Sequence, residues 1–474
     1  MVRISTLIMC MALMAGPAVA QTREETKTYE NGGRYEGTFQ DGVPHGQGTY
    51  RLQNGYEYSG AWVEGEILGQ GVAKFPDGSV YEGWFAKGKP HGEGTITFAD
   101  GGTYTGTWEE GEMSGEGVAE YANGTRYEGE FSNALHDGVG TMTSPSGYRY
   151  EGTWVAGVKE GSGKITYPNG AVYEGNLTRG ERSGQGRLVM TNGLIYDGAW
   201  RGGQINGRGV LTQPNGDVYE GELVNGKRQG GGKVTYANGD VYEGQFAEDQ
   251  RHGTGTFTGT DGYLYEGNWQ SGRIQGDGTA TYPDGSVYVG EFSEDLAHGT
   301  GEITYPDGST YSGGWKAGVI EGDGIARYAT GLVYEGGFLN AKNHGQGKMT
   351  YPDGYIYEGM WQDGVRQGQG TATYADGTVY QGAFLDGLRH GEGSITMADG
   401  FTYSGEWREG KISGSGAATY ANGDVYEGMF LEGTRHGQGK MTYANGEVVE
   451  GDWDDGVLTQ VADDVTEPAD TDTN

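Results

Sequence analysis

Aromatic and glycine positions recur along this chain with a strict period of 23 residues. Tyrosine stands at Tyr35 and at every 23rd position up to Tyr426, and Val449 takes the next place. Numbered from this repeat tyrosine, glycine occupies +2 in every unit, from Gly37 to Gly451, and an aromatic residue or leucine occupies +4. Such spacing without insertions indicates tandem repeats in which each unit's geometry is set by its neighbours.

Each repeat predicts one β-hairpin. An Asn-Gly or Asp-Gly pair usually begins four residues before the repeat tyrosine, as at Asn54-Gly55 and Asp77-Gly78. This pair between alternating segments is a strong hairpin signal. Where proline precedes the pair, as at Pro76, we expect a three-residue loop with a bulge, because proline suits the second position of a type I turn and glycine then takes a positive φ.

The alternation also assigns two faces to the predicted sheet. Side chains two apart share a face, so the repeat tyrosine, the +2 glycine and the +4 ring lie together. Apolar residues at +15 and +17, such as Ile96 and Phe98, join them from the partner strand. Glycine between two aromatic residues leaves space for rings to lie over the backbone. The opposite face carries position +1, often acidic as at Glu36 and Glu82, and is expected to be hydrated and negative.

Stacking these hairpins predicts an all-β fold, an elongated single-layer antiparallel sheet of tandem 23-residue hairpin repeats that forms a twisted rod. One hairpin alone is marginal, and stacking pairs its edges. With two strands per repeat about 4.8 Å apart, 19 repeats would extend on the order of 180 Å. We assign the array of about 19 repeats to residues 21–456 and an acidic disordered tail to 457–474.

Residues 1–20 are typical of a signal peptide. Arg3 supplies a positive charge, residues 7–14 are apolar, and residues 18–20 fit the small-x-small rule for cleavage. We therefore expect an exported protein that is periplasmic or secreted. The single cysteine, Cys10, lies within this segment, so the mature chain is predicted to carry neither a disulfide nor thiol chemistry.

The charge balance argues against nucleic acid and against anionic lipid surfaces as partners. The formal net charge is -34 at pH 7. Nucleic acid and anionic lipid surfaces both require clustered Lys and Arg for neutralisation. We therefore expect no nucleic-acid partner and no simple electrostatic attachment to a membrane.

At full length the repeat resembles the MORN repeat. The unit that starts at Tyr380 reads Tyr-Gln-Gly-Ala-Phe-Leu-Asp-Gly-Leu-Arg-His-Gly-Glu-Gly, and the resemblance covers about residues 29–456. The resemblance implies the hairpin fold. Similar arrays are found attached to lipid kinases and a histone methyltransferase and in junctional scaffold proteins, but this sequence holds no kinase-like or methyltransferase-like segment.

The histidines are the most regular candidate for chemistry. All but one occupy +10, with His136 displaced by one residue; the set is His45, His91, His136, His252, His298, His344, His390 and His436. Most neighbours are 46 residues apart, or roughly 20 Å by strand spacing, whereas metal ligands must lie about 2 Å from one ion. A structural role at the hairpin corner is therefore favoured.

No other motif predicts a site. The Gly-x-Gly pairs at +11 and +13 lack the strand-to-helix setting of a phosphate-binding loop. Carboxylates at +1 on neighbouring repeats would be about 10 Å apart, too far to share a cation. No nucleophile and base stand apart from the repeat pattern. The sequence therefore nominates no catalytic, cofactor-binding or metal-ligating residue, and no cofactor is expected.

These patterns favour a non-enzymatic scaffold or protein-interaction rod of the cell envelope, with a protein partner or self-association. The alternative is a lipid- or glycan-binding module that uses the aromatic face of the sheet. Large apolar patches are rarely left bare, so that face could close on itself by twist, pair with a second copy, or bind a partner. A single non-repeating polar cluster in a cleft would instead indicate an enzyme.

Overall fold

The computed structural model describes residues 23–461, which contain strands, turns and connecting residues but no helix. The predicted signal segment and the residues from 462 onward lie outside the described range. The chain divides into two compact units, residues 1–227 and 228–474. Within the part of the chain that the structure describes, no helix capable of spanning a membrane is found.

The strands alternate between seven and nine residues, apart from the first and the last. Those of the first unit are β1 (Arg23–Thr28), β2 (Arg34–Gln40), β3 (Val43–Arg51), β4 (Glu57–Val63), β5 (Glu66–Lys74), β6 (Val80–Ala86), β7 (Lys89–Thr97), β8 (Thr103–Glu109), β9 (Glu112–Glu120), β10 (Arg126–Ser132), β11 (Leu135–Thr143), β12 (Arg149–Val155), β13 (Val158–Thr166), β14 (Val172–Thr178), β15 (Glu181–Val189), β16 (Ile195–Arg201), β17 (Gln204–Thr212) and β18 (Val218–Val224).

The second unit continues the same alternation from the start of its first strand. Its strands are β19 (Lys227–Thr235), β20 (Val241–Ala247), β21 (Gln250–Thr258), β22 (Leu264–Gln270), β23 (Arg273–Thr281), β24 (Val287–Ser293), β25 (Leu296–Thr304), β26 (Thr310–Lys316), β27 (Val319–Arg327), β28 (Val333–Leu339), β29 (Lys342–Thr350), β30 (Ile356–Gln362), β31 (Val365–Thr373), β32 (Val379–Leu385), β33 (Leu388–Thr396), β34 (Thr402–Arg408), β35 (Lys411–Thr419), β36 (Val425–Leu431), β37 (Thr434–Thr442), β38 (Val448–Asp454) and β39 (Val457–Val461).

In each unit, every strand pairs antiparallel with the next strand along the chain. The predicted all-β sheet of tandem antiparallel hairpins is therefore confirmed. One register feature repeats: Gly37 pairs with Gly48, but Phe39 then pairs with Pro44, so one residue on β2 faces three on β3. This bulge brings position +9 directly opposite the +4 ring.

Two kinds of turn alternate along the chain. The first is the predicted loop: Phe75 N–H donates to the Ser79 carbonyl at 2.8 Å, and Gly78 N–H donates to the Phe75 carbonyl at 3.0 Å. Gly78 takes a φ of 94°. This pattern confirms the three-residue loop with its left-handed glycine, and the same hydrogen bonds recur in repeats without proline, as at Leu52.

The second kind of turn, at +6 and +7, was not predicted. It is a two-residue turn in which both residues are left-handed, as with Asp41 at φ 51° and Gly42 at φ 84°. Type I′ turns of this kind match strand twist and favour glycine. At a few places the second residue is not glycine, for example Ala134 at φ 61° and Ala341 at φ 58°.

The predicted disordered tail begins too early. Val457–Val461 form β39, which pairs with β38 through Gly451 opposite Val461 and Trp453 opposite Leu458. The reason is that the edge of β38 carries backbone N–H and C=O groups that need hydrogen-bond partners. Pairing with β39 satisfies these groups beside the indole of Trp453, which is 5% exposed. The rest of the predicted tail, residues 462–474, lies outside the described residues.

Candidate functional site

The repeat tyrosines form the core of each unit, with 0–2% of their surface exposed. Each hydroxyl donates to the carbonyl three residues later, as Tyr35 does to Thr38 at 2.9 Å. The ring lies on the +13 glycine, because a Cβ added to Gly48 would be 2.2 Å from the Tyr35 hydroxyl oxygen. A Cβ on Gly37 would be 2.4 Å from the Gly48 Cα. The prediction that glycine makes room for rings is confirmed.

The rings also cover one another. Tyr35 meets Phe39 of its own repeat at 5.1 Å and Trp62 of the next at 5.0 Å, both edge to face. The same pattern recurs in both units, and aromatic pairs favour this geometry. In the first unit Leu177 and Leu223 replace the ring at +4. The +4 side chains are 0–9% exposed in the described chain.

The expectation of an exposed aromatic face is therefore wrong for the tyrosine and +4 rings. Their π surfaces are occupied by glycine backbone and by neighbouring rings, so no lipid or sugar can stack on them. These rings are covered by side-chain packing within the sheet, which is none of the three outcomes left open by the sequence. Aromatic binding surface has to be sought elsewhere on the molecule.

A second, more exposed set of rings lies beside the three-residue loops, at +17 of one repeat and six residues before the next tyrosine. We call it the loop row: Tyr29, Phe75, Phe98, Tyr121, Tyr167, Tyr236, Tyr282, Tyr305, Tyr328, Tyr351, Tyr374, Tyr420 and Tyr443. Phe98 is 37% exposed and Tyr328 41%. The alternation predicted +17 on the core face beside +15. The structure buries +15 in most repeats, as at Ile96, but leaves +17 at the rim because it directly precedes the loop.

Position +9 lines the same face and was not singled out from the sequence. Seven cations occupy it, and no acid does: Lys159, Arg182, Arg228, Arg251, Arg366, Arg389 and Arg435. The Arg251 guanidinium lies 4.0 Å from the Trp269 ring and Arg389 lies 4.3 Å from Trp407, which is cation–π geometry. We call these residues the +9 cations. The signal in the sequence was that position +9 carries Arg or Lys in seven repeats and Asp or Glu in none.

Within the described residues Arg228 pairs with Asp249 at 3.5 Å, whereas the other +9 cations form no salt bridge with an acid, although the chain carries 66 Asp and Glu against 32 Lys and Arg. Elsewhere in the described residues ion pairs are common, such as Lys89 with Glu110 and Lys411 with Glu432. Arg366, Arg389 and Arg435 instead donate to the turn carbonyls of the following repeat, at 2.6 to 2.9 Å. None of these three arginines forms a salt bridge with a carboxylate of the described residues.

Burial shapes the electrostatics of this face. Desolvation raises the pKa of Tyr35 and Tyr81 to about 12, so their hydroxyls act as neutral donors. Desolvation lowers the pKa of Lys159, whose Nζ donates to the Tyr148 hydroxyl at 2.6 Å and lies 4.6 Å from that ring. A cation that is half buried against rings and lacks a nearby carboxylate favours an anionic ligand.

Two of the +10 histidines, His45 and His298, cap turns, whereas the Nδ1 of His344 is buried without a hydrogen-bond partner. Backbone N–H groups in the next tight turn donate to His45 at 3.5 Å and to His298 at 3.4 Å. Asp137 and Gln367 accept the same bond in other repeats, so the position needs only an acceptor. In the described residues, no group of three or more His, Cys, Asp or Glu side chains is arranged to hold a metal ion.

His136 differs because its one-residue displacement puts it at +9. Its ring stacks on Tyr127 at 3.7 Å and meets Trp154 at 4.9 Å, and its Nε2 lies 2.7 Å from the Tyr121 hydroxyl. Burial lowers the pKa of His136 to about 4, so the ring is neutral at pH 7. This is a non-repeating polar cluster, but its rings lie in direct contact, with Tyr127 stacked on the imidazole and Trp154 meeting it edge to face.

The packing of His136 has a cost in the same repeat. Other +4 tryptophans donate the indole N–H to the preceding +13 glycine, as Trp108 does to Gly94 at 3.2 Å. The Nε1 of Trp154 is buried without a hydrogen-bond partner. Since Trp154 touches the imidazole edge to face, we attribute the missing bond to displacement of the indole by His136.

Two open clefts lie in separate units. One in the first unit, of about 390 Å³, is lined by Tyr167 of the loop row, the +9 cation Arg182, and Leu188. The other, in the second unit, of about 680 Å³, lies on the opposite face among Val287, Val289 and neighbouring threonines. The first combines an aromatic ring, an apolar wall and a guanidinium, which is the same chemistry as the face described above.

Comparison with known families gives one clear match. The family model for the MORN repeat matches eighteen consecutive segments: residues 35–55, 58–80, 81–103, 104–126, 127–147, 150–172, 173–195, 196–218, 219–241, 242–262, 265–287, 288–310, 311–333, 334–354, 357–379, 380–402, 403–425 and 426–448. Among curated proteins, no relative matches this sequence.

Solved structures give only remote likenesses. The TCP10 domain of Danio rerio CPAP is 14% identical, with 46% of this chain and 93% of that chain covered and a TM-score of 0.22. The SAS-4 TCP domain of Drosophila melanogaster, in complex with a proline-rich motif of Ana2, is 14% identical over 44% and 96%, at 0.22. Virginiamycin B lyase from Staphylococcus aureus is 11% identical over 72% and 96%, at 0.11. TM-scores this low establish neither a shared fold nor a shared function.

Proposed function

This chain belongs to the MORN-repeat family, and from that premise we propose that it is a non-enzymatic scaffold of the cell envelope that binds a protein partner. MORN repeats are interaction modules, and residues 35–448 of this chain are occupied by them almost without interruption. The signal-like residues 1–20 support export to the periplasm or beyond.

One observation carries this proposal: the loop row and the +9 cations lie on the same face and contact each other. The Arg435 guanidinium lies 5.9 Å from the Tyr420 ring, and Arg182 lines one cleft together with Tyr167. Tyrosine and arginine are the residues enriched where proteins bind one another. Their repetition in register offers a partner several equivalent anchors rather than one deep pocket.

Affinity capture from cross-linked cell envelopes tests the proposal. The bait is the tagged full chain, compared with Tyr305→Ser/Tyr328→Ser/Tyr351→Ser, which removes three consecutive rings of the loop row. The control, Leu339→Ser/Leu385→Ser/Leu431→Ser, removes apolar side chains that are 37–48% exposed at +5. We expect a short set of proteins to be retained by the wild type and the control and lost from the loop-row variant.

In a binding assay, the purified partner protein must then bind the wild type and the leucine control more tightly than it binds the loop-row variant. Equal retention by all three baits would refute the proposed surface. A capture without any reproducible protein would refute the scaffold function itself.

The loop row also favours a second candidate, a lipid- or glycan-binding module. Tyr282, Tyr305, Tyr328 and Tyr351 stand on consecutive repeats, and exposed rings stack on sugars or insert at lipid headgroups. This function requires saturable binding to zwitterionic vesicles or cell-wall fragments that survives high salt. Absence of binding to both would eliminate it.

A further inference from the structure

We propose that the cleft around Arg182 in the first unit binds an acidic peptide segment of the protein partner, with a carboxylate on the guanidinium and an apolar side chain against the cleft wall. The cleft has a volume of about 390 Å³ and is open to solvent. The inference deepens the proposed function and rests on it, since it names the chemistry of the partner segment at one place on the proposed surface.

The cleft lies beside two consecutive three-residue loops, which begin directly after Tyr167 and Met190. Most repeats carry tyrosine or phenylalanine before this loop, whereas the repeat of Arg182 carries Met190. Ala171, which is 4% exposed, and Leu188 complete the apolar wall. Methionine is unbranched and flexible, so it adapts to the shape of what packs against it. The wall therefore suits an aliphatic or aromatic side chain.

Arg182 supplies the positive charge at the cleft. Its Nη2 donates to the Gly203 carbonyl at 2.6 Å, and its guanidinium lies 4.1 Å from the Trp200 ring. These contacts orient the side chain and use one of its five N–H donors. No ion pair joins Arg182 to a carboxylate within residues 23–461. An oriented guanidinium with free donors suits bidentate binding of a carboxylate.

Two polar groups at the cleft favour a peptide over a lipid. Asn169 accepts the Ala171 N–H at 3.1 Å through Oδ1, and its Nδ2 has no acceptor within the described residues. The Tyr167 hydroxyl likewise makes no hydrogen bond there. Burial raises the pKa of Tyr167 although the charge of Arg182 opposes this, so the hydroxyl is a neutral donor at pH 7. A peptide backbone supplies carbonyl acceptors to both groups, whereas a hydrocarbon chain supplies none.

A second cation lies one repeat away. Lys159, which also forms no ion pair within the described residues, donates to the Tyr148 hydroxyl at 2.6 Å, and the Tyr148 ring meets Tyr167 edge to face at 6.4 Å. With two strands per repeat about 4.8 Å apart, Lys159 and Arg182 lie roughly 10 Å apart. An extended peptide advances about 3.3 Å per residue, so acids three positions apart reach both cations. We therefore expect a segment with two such acids and an apolar residue between them.

Fluorescence anisotropy on the full chain tests the inference with a labelled peptide, Gly-Ser-Glu-Leu-Ala-Asp-Ser-Gly. One matched peptide carries Gln and Asn in place of the two acids, and another carries Ser in place of Leu. We expect saturable binding of the first peptide and binding weaker by about tenfold or more for each matched peptide, because a charged hydrogen bond and a buried aliphatic side chain each contribute at least that much. No saturable binding, or equal binding of the three peptides, would overturn the inference.

Two variants with the same substitution locate the site. Arg182→Met removes the charge and keeps an apolar stem over Trp200, and it should weaken binding of the acidic peptide by about tenfold or more. The control, Arg187→Met, removes a charge from the opposite face of the same strand, where Arg187 stands opposite Asp197, and it should bind as the wild type does. Equal losses in the two variants would reflect net charge alone and would overturn the site. A thermal melt verifies that each variant is folded.

A photoreactive leucine analogue in the peptide locates the site in the unaltered protein. Cross-links read by mass spectrometry are expected within residues 167–190, which contain the cleft wall. They should disappear when excess unlabelled acidic peptide is added and persist when the uncharged peptide is added. Cross-links confined to other parts of the chain would overturn the site, even if both arginine variants failed to fold.

The outcomes separate the peptide from a lipid and this inference from the proposed function. Phosphatidylcholine vesicles with added oleate offer a carboxylate on a hydrocarbon chain; if they bind in a way that requires Arg182 while the peptide does not bind, the peptide occupant is refuted. If the peptide fails while the envelope capture still depends on the loop row, the acidic segment is refuted and the scaffold function stands. If the capture retains no protein while the peptide binds at Arg182, the scaffold function fails and only the peptide preference of the cleft stands.

Discussion

The buried tryptophans of the first unit differ in hydrogen bonding, because the indole N–H of Trp154 has no acceptor. This difference can be tested by changing tryptophan to phenylalanine at Trp108 and at Trp154. Trp108→Phe removes a donor that satisfies the Gly94 carbonyl at 3.2 Å, and Trp154→Phe removes a donor that has no acceptor. The two side chains are 5% and 3% exposed, and both pack edge to face against tyrosine on either side.

The size of the difference follows from hydrogen bonding alone. The smaller ring loses a similar buried area at both sites, so this term cancels in the comparison. At Trp108 the substitution leaves the partly buried Gly94 carbonyl without its indole donor, whereas at Trp154 it removes a buried donor that has no partner. An unsatisfied buried polar group costs about 1–3 kcal/mol. We therefore expect Trp108→Phe to be more destabilising than Trp154→Phe by about 2 kcal/mol.

The assay must be local, because repeat arrays can open in parts rather than in one step. Hydrogen exchange read by mass spectrometry reports the opening of β7–β9 and of β11–β13 separately. A difference of 2 kcal/mol corresponds to about a 30-fold difference in the opening equilibrium. Trp84→Phe serves as the control, since Trp84 is 49% exposed and should change exchange little.

Equal effects at Trp108 and Trp154 would contradict the reasoning, because they would mean that the Trp154 donor is satisfied in solution. A larger effect at Trp154 would show that the ring's packing on His136 outweighs its missing hydrogen bond. Only the predicted order supports displacement of the indole by the imidazole.

Three further predictions concern single positions. Ala341→Gly should stabilise the second unit by about 1 kcal/mol in denaturant unfolding, because Ala341 has a φ of 58°. Gly347→Ala should destabilise that unit by about 3 kcal/mol or more, since its Cβ would lie 2.2 Å from a tyrosine hydroxyl, whereas Gly231→Ala, with open space, should be nearly neutral. Burial lowers the pKa of His136 to about 4, below its usual 6.5, so between those values only the unfolded chain takes up its proton and stability falls as pH falls. His136→Gln should therefore flatten the dependence of the melting temperature on pH between pH 7 and pH 4. An unchanged melting temperature for Ala341→Gly, equal losses for the two glycines, or an unchanged slope for His136→Gln would contradict them.

Much of the fold could be predicted from residue spacing. Proline and Asp-Gly at Pro76–Gly78 predicted the three-residue loop, and the paired glycines predicted rings lying on backbone, since only hydrogen fits where Gly48 meets Tyr35. The two-residue turn was missed because its first residue is chemically mixed and its second is not always glycine, as at Ala341. The start of the tail was misplaced because the short strand Val457–Val461 pairs with β38 through backbone hydrogen bonds. Amino-acid composition gives no signal for such pairing.

The candidate surface could be predicted only in part. Alternation places +9 and +17 on the aromatic face, but it does not say which side chains remain exposed. The bulge after Gly37 moves the +9 residue opposite the +4 ring, so that a guanidinium such as Arg251 covers Trp269. The loop row is half exposed because it stands at the strand end, next to the three-residue loops.

The sequence by itself determined the repeat length, the antiparallel hairpins, the alternation of an aromatic and an acidic face, and the strong negative charge. These depend on period-two geometry and on positions where only glycine fits, and both are local. Only the tertiary structure decided that the large aromatic rings are buried in the core, that the Trp154 indole lacks an acceptor, and that arginines at +9 share a face with half-exposed tyrosines. Those outcomes depend on how neighbouring repeats pack side chain against side chain, and a linear pattern does not encode that packing.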